Sequence, residues 1–344
     1  MSNNSVVTLA TPQTTGYGLA DAAARDRTHW MTGKFGLMVH WLYPHTSAEG
    51  TGAHDFEGAV DAFDLEQFLS DFSSTGAEWM MFTIGQNTGY YASPNSTLDR
   101  LVGAGHASHR DLVSEMAAGV KQLGKRFIPY LPSEVHFQSE EIKAGFAWNP
   151  ADQSEFQRRY TDFIREYSLR YGTNLDSWWF DGCYDWKEFN NKTYDWELWA
   201  TAARAGNPEA ALAFNDGCFY CRKTTPVTSI QDYLSGEIGW IEDGRIRLGT
   251  EKELDGEGTY VLPDSRYIQC TKCQWHGQLP IDCLWMHSGP GPIDPPRFTD
   301  ENLESFVRNC VTVGGAVTLN VGIYQEGRLA PRTLEQLARI ELPR

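Results

Sequence analysis

The chain has 344 residues and carries 45 acidic against 29 basic side chains, a formal net charge of −16. That balance argues against nucleic acid or an anionic membrane surface as partner, because both reward clustered Lys and Arg. A neutral ligand fits it best. The sequence does not open with a basic start followed by an apolar core, and it has no apolar run long enough to span a bilayer. A cytoplasmic protein without a membrane partner is therefore expected.

Residues 1–25 are polar and rich in small side chains, and they read as a flexible N-terminal segment. Beyond them, strand-like apolar segments recur at 35–41, 78–84, 126–131, 175–181, 210–215, 229–233, 281–286 and 316–321. Amphipathic helices fall between several of these. Over 109–124, Leu112, Val113, Met116, Ala117, Val120 and Leu123 share one face, and Gly124 closes the helix. Residues 155–171 repeat the pattern with Phe156, Tyr160, Phe163, Ile164 and Tyr167. Thr299 is placed to cap a helix that buries Leu303, Phe306, Val307 and Cys310. Strand–helix alternation implies parallel strands, and eight repeats predict one α/β domain over 26–344, a closed (β/α)8 TIM-like barrel. The stretch 236–278, rich in Gly and charge, has no helical period and reads as an irregular excursion.

In a parallel barrel, catalytic groups gather at the C-terminal tips of the strands. Here the first strand ends His40-Trp41, and the second runs into Gln86-Asn87 and Tyr90. The third leads through Tyr130 to Glu134, and the fourth ends Trp179-Phe180-Asp181-Gly182. The fifth ends Asn215-Asp216, the sixth lies near Glu237, and the seventh lies beside Trp275, His276 and His287. Any one of these could be structural; the argument is their convergence on one rim. Aromatic residues make up 13% of the chain, and carboxylates beside Trp and Tyr suit the C–H faces and hydroxyls of sugars. There is no phosphate-binding glycine loop and no G-x-S-x-G elbow, so carboxylate chemistry leads.

Four of the seven cysteines form two C-x-x-C pairs, Cys218/Cys221 and Cys270/Cys273. Such pairs can build a closed tetrahedral structural zinc site. Their separation permits that reading without demanding it, and free thiols are the other reading.

Four blocks in order resemble the α-L-fucosidases of glycoside hydrolase family 29. Gly33-Lys-Phe-Gly-Leu-Met-Val-His-Trp41 looks like the family's KFG-x-F-x-HW opening, with Met38 in place of the Phe. Arg110-Asp111-Leu-Val, Gly124 and the strand to Tyr130 are similar to its RD-x-V…G…Y block. Trp179-Phe-Asp-Gly182 resembles the WFDG segment whose Asp is the nucleophile, and Gly314-Gly315-Ala-Val-Thr-Leu-Asn320-Val-Gly322 looks like GGN-LLLN-x-G. Two departures stand out. The family's KHHDGF segment is replaced by Ile84-Gly-Gln-Asn-Thr-Gly-Tyr90, which trades two imidazoles for amides and leaves the sugar open. The usual C-terminal β-sandwich is also expected to be lacking.

The resemblance implies a retaining exo-glycosidase that needs no cofactor for catalysis and takes a carbohydrate substrate. Asp181 is the implied nucleophile. Gln231-Asp-Tyr-Leu-Ser-Gly-Glu237 looks like the GDY-x-TPE segment that supplies the acid/base in some members, which favours Glu237 with Glu134 as runner-up. His40 and Trp41 would shape the subsite floor, with Gln86, Asn87 and Tyr90 reading hydroxyls. Tyr130, Glu134, Trp179, Trp275 and His276 complete the expected substrate-binding set. A catalytically silent sugar-binding barrel and a cysteine-ligated metalloenzyme are the alternative classes.

Overall fold

The computed structural model describes residues 26–49, 54–184, 194–217, 226–247, 260–268 and 271–343. The expected N-terminal segment 1–25 lies outside them. The strands are β1 (Phe35–Val39), β2 (Trp79–Thr83), β3 (Arg126–Pro132), β4 (Ser177–Asp181), β5 (Ala211–Phe214), β6 (Trp240–Glu242), β7 (Arg245–Arg247), β8 (Tyr260–Val261), β9 (His276–Pro280) and β10 (Ala316–Val321). Seven of them make one sheet in the order β5-β4-β3-β2-β1-β10-β9, and every pairing in it is parallel. Helices fall between most consecutive strands and cover the outside, as parallel strands require.

Alternation along each strand separates two cores. Residues facing inward, among them Met38, Trp79, Met81, Ile128, Tyr130, Trp179, Ala213 and Tyr233, fill the barrel with one buried cluster. Their neighbours in sequence, such as Leu37, Met80, Phe127, Trp178, Phe180 and Leu212, pack outward beneath the helices. The expected helices form at Leu112–Gln122, Ser154–Tyr171 and Asp300–Thr312. Asp111 and Thr299 cap the first and last by accepting from Ser114 N and Asn302 N. Leu123 departs from the expected buried face and is 40% exposed at its helix end.

The sixth stave of the barrel differs from the expected strand at 229–233. Residues 232–238 occupy it without a continuous ladder. Asp232 N donates to Leu212 O, Leu234 N to Gln274 O, and Ile238 N to Gln278 O, so the segment bonds to both sheet edges and closes the ring. Gly236 is the reason for its irregularity. Its φ is +76°, and an added Cβ would lie 2.2 Å from His276 O, so the chain leaves the extended conformation to pass close to β9.

The seventh strand is β9, and not the expected 281–286, which forms bends with Trp285 at φ 65°. Ile281 and Cys283 are buried while Leu284 is 52% exposed and Trp285 and Met286 line the pocket, and period alone cannot separate such a loop from a buried strand. Within the expected excursion, β6, β7 and β8 form a small antiparallel sheet. It docks on helix Asp300–Thr312, where Gly244 N donates to Asn302 Oδ1 and Asn309 Nδ2 donates to Gly244 O. Among the described residues, no helix is long and apolar enough to cross a membrane.

Candidate active site

Strand β4 carries Asp181 to the C-terminal rim, where Gly182 at φ +83° turns the chain away. An added Cβ there would meet Glu134 Cγ at 3.0 Å, so glycine is required by conformation and by space. The Asp181 backbone oxygen accepts from Ser133 N at 2.6 Å and from Ser133 Oγ at 2.5 Å, which fixes the tip of the strand.

The Asp181 carboxylate accepts four hydrogen bonds, all from neutral groups. Gln86 Nε2 (2.9 Å) and Tyr130 Oη donate to Oδ2, while Tyr184 Oη (2.8 Å) and Asn215 Nδ2 (2.8 Å) donate to Oδ1. Burial, reinforced by the Asp181 charge, pushes both tyrosine hydroxyls well above their ordinary range, so they remain donors. Tyr130 in turn stacks on Trp179 with ring centroids 5.1 Å apart.

Asn215 Nδ2 also donates to Glu237 Oε2, at 2.7 Å. One amide nitrogen therefore holds both carboxylates. Their nearest oxygens can be no farther apart than two hydrogen bonds, of 2.8 and 2.7 Å, laid end to end. Both carboxylates open into a cavity of about 320 Å³ that is also lined by His40, Leu42, His45, Gln86, Asn87, Thr88, Trp179, Tyr184, Asn215, Gln278, Trp285 and Met286.

His40 stands across from Asp181. Asn320 Nδ2 donates to Trp285 O at 2.8 Å, which orients that amide, and His40 Nδ1 then donates to Asn320 Oδ1 at 2.8 Å. In the neutral ring this leaves Nε2 as an acceptor. Burial holds the imidazole below its ordinary value, against the raising pulls of the Asn320 bond and the Asp181 charge. A base held neutral by folding contributes its full share of stability above its unfolded pKa of about 6.5, and that share declines as pH falls below it. Chemical denaturation at about pH 7.5 and about pH 5.5 is expected to show a larger loss in the wild type than in His40→Gln. Equal losses would refute this account.

The structure brings together Asp181, Glu237, His40, Gln86, Asn87 and Trp179 at the pocket, with Tyr130 directly beneath. Other expected residues stand elsewhere. Trp41 is buried in the outer core and donates to Gln325 O, and Tyr90 packs among Tyr43, Phe56 and His106. Glu134 is buried behind the Asp181 turn, accepts from His136 N, and does not line the cavity. Trp275 packs outside the barrel against Gly277 and Gly315. His276 points inward but lies lower, bonded to Leu234 O, Ser235 O and Thr318 Oγ1. The places of Trp275 and His276 follow from β9 running at 276–280, earlier than expected. Of the four zinc candidates, Cys218, Cys221 and Cys270 lie outside the described residues, while Cys273 is a buried thiol whose pKa is pushed up by burial.

Sequence reasoning did not place Tyr184, Gln278 and Trp285 at the pocket, and it noted Asn215 only as a strand tip. Tyr184 had a usable signal, three residues beyond Asp181 in the same exit loop. Gln278 and Trp285 were hidden by the misplaced seventh strand.

The α-L-fucosidase family profile matches residues 29–341. The chain belongs to this family. Among solved structures, the endo-fucoidan hydrolase MfFcnA4 of glycoside hydrolase family 107 aligns with a TM-score of 0.64 at 18% identity, covering 91% of this chain and 52% of that one. The α-L-fucosidase isoenzyme 1 from Paenibacillus thiaminolyticus gives 0.61 at 14% identity, covering 91% and 74%. A Ruminococcus gnavus GH29 fucosidase in complex with fucose gives 0.60 at 14% identity, covering 92% and 66%. At such identities the likeness concerns the fold. The chain spans about half the length of the fucoidan hydrolase MfFcnA4. No curated protein matches it in sequence.

Proposed function

We propose that the chain is a retaining exo-glycosidase of the α-L-fucosidase type, hydrolysing a terminal deoxy- or related sugar by double displacement. The observation that carries this reading is Asn215 Nδ2 donating to both Asp181 and Glu237. Such a bridge supports the close spacing of about 5–5.5 Å used by retaining enzymes, in preference to the roughly 6.5–9.5 Å that leaves room for an inverting water. Family membership supports the same chemistry.

In the first step, an Asp181 oxygen attacks the anomeric carbon as the glycosidic C–O bond breaks, and Glu237 gives its proton to the leaving oxygen. In the second, Glu237 takes a proton from water, the water oxygen attacks the same carbon, and the Asp181 ester bond breaks. Each Asp181 oxygen already accepts two hydrogen bonds, so the attacking oxygen exchanges one donor for the substrate carbon. The cavity of about 320 Å³ is at the small end of ligand pockets, which supports a single terminal ring and hence exo-action. His40 accepts a hydroxyl through Nε2, while Trp179 and Trp285 offer aromatic faces. Asn87 reads hydroxyls directly, whereas Gln86 spends one amide hydrogen on Asp181. No metal takes part in these steps. Two carboxylates held together at the pocket also weigh against a silent sugar-binding barrel.

The test is the configuration of the first-formed sugar. Proton NMR during hydrolysis of an aryl α-L-fucoside is expected to show the α-anomer first, with the β-anomer following by mutarotation. Initial release of the β-anomer would overturn the retaining assignment.

A further inference from the structure

We infer that Asn215 is a positioning residue for both chemical steps: its amide donates to the charge on Asp181 at the start and on Glu237 once the proton is given, and it leaves that proton on Glu237 Oε1. This deepens the glycosidase reading above and rests on it. Asn215 stands just past β5, and its backbone brackets the nucleophile. Asn215 N donates to Phe180 O at 2.7 Å, and Cys183 N donates to Asn215 O at 2.8 Å. The side chain is thereby carried to a fixed place between the two acids, where it is only 1% exposed.

Gly217 decides which end of the amide is which. Its N–H donates to Asn215 Oδ1 at 3.0 Å, so that end is the carbonyl. The other end is the NH2 group, which meets Asp181 Oδ1 at 2.8 Å and Glu237 Oε2 at 2.7 Å. An NH2 group has two hydrogens, one for each acid. A protonated carboxyl group accepts best through its C=O oxygen. Since Oε2 faces the amide, the transferable proton of Glu237 sits on Oε1.

The path of the charge gives this arrangement its use. In the first step the Asp181–carbon bond forms as the glycosidic C–O bond breaks, and the Oε1 proton goes to the leaving oxygen. Asp181 becomes a neutral ester and Glu237 a carboxylate. In the second step water gives its oxygen to the carbon and a proton to Oε1, and the ester bond breaks. The pair thus carries one negative charge throughout, which passes from one acid to the other and back. Hydrogen bonds to ionised acceptors are roughly twice as strong as those to neutral ones. A donor in contact with both acids meets the charge in either place without moving. The titratable groups acting on the pair include His40, Tyr130, Tyr184 and Cys183 toward Asp181, and Tyr130 and Tyr184 toward Glu237. Cys183 also faces Glu134 and Asp216. All of these are kept in the test.

The test is the pH dependence of kcat/KM for an aryl α-L-fucoside, whose alkaline limb marks loss of the acid's proton in the free enzyme. Removing a donor favours the protonated form. Asn215→Ala is therefore expected to lower the rate and to move the alkaline limb up by about one pH unit. Asn215→Ser keeps one donor hydrogen and is expected to move it less; it carries the comparison if the Ala variant does not fold. Gln86→Met removes a donor from Asp181 and not from Glu237, and is expected to lower the rate with the limb in place. A limb that stays put in the Asn215 variants, or moves equally in Gln86→Met, overturns this role and leaves the glycosidase reading standing. Absence of hydrolysis by the unaltered chain would sink both.

Discussion

Replacing Asp181 by glycine is expected to lower kcat for an aryl α-L-fucoside by at least about 10³-fold, roughly 4 kcal/mol of transition-state stabilisation. The large effect follows from the nucleophilic role proposed for it, for which the pocket offers no substitute at the same place. Sodium azide is expected to restore part of the rate. Removing the carboxylate leaves Gln86, Tyr130, Tyr184 and Asn215 converging on an empty space, and four donors aimed at one point suit a small anion. Azide then attacks from the face the carboxylate occupied, in a single displacement, and the product is a glycosyl azide of inverted configuration. Retained turnover in Asp181→Gly, or a rescued product of retained configuration, would remove Asp181 from the nucleophile's role.

Glu237→Gln is expected to act in a different way, because a general acid matters most where the leaving group is poor. General acid–base groups typically contribute about 10²–10⁴-fold. With a methyl glycoside the loss is expected near the upper end of that range. With a dinitrophenyl glycoside, whose leaving oxygen needs little protonation, the first step is expected to be nearly unaffected and the glycosyl-enzyme to accumulate. Azide then intercepts that intermediate and gives the glycosyl azide of retained configuration, opposite to the Asp181→Gly product. Glu134→Gln separates the two candidates. Glu134 lies behind the Gly182 turn and accepts from His136 N, so its loss is expected to disturb the loop with no dependence on the leaving group. A strong leaving-group dependence in Glu134→Gln, with none in Glu237→Gln, would reverse the assignment.

The expected residues that line the cavity share a property. His40, Gln86, Asn87 and Asp181 follow or end strands that are buried throughout, Trp179 lies within the last of these, and Asp181 is followed by a glycine that marks the exit. A fully buried parallel strand must be apolar on both faces, so its end is sharply drawn in the sequence. Trp275 and His276 were misplaced because the strand they border is His276–Pro280, a run containing His, Gly and Gln that has no apolar period. Those residues are buried as a strand because β10 supplies a ladder on one side and the 232–238 segment supplies bonds on the other. No local signal records that.

Charge, patterning and strand ends were enough to indicate a parallel barrel with Asp181 on its rim and to argue against nucleic acid as a partner. These are properties of consecutive residues, for which period and turn chemistry are direct physical constraints. The pairing of Asp181 with Glu237 is of another kind. Fifty-six positions separate them in the chain, and they meet because Gly236 lets an irregular stave pass against β9 while Asn215 donates to both carboxylates from a third strand end. Distance between remote side chains is fixed by how the barrel closes, and closure depends on contacts between strands that no single stretch of sequence contains.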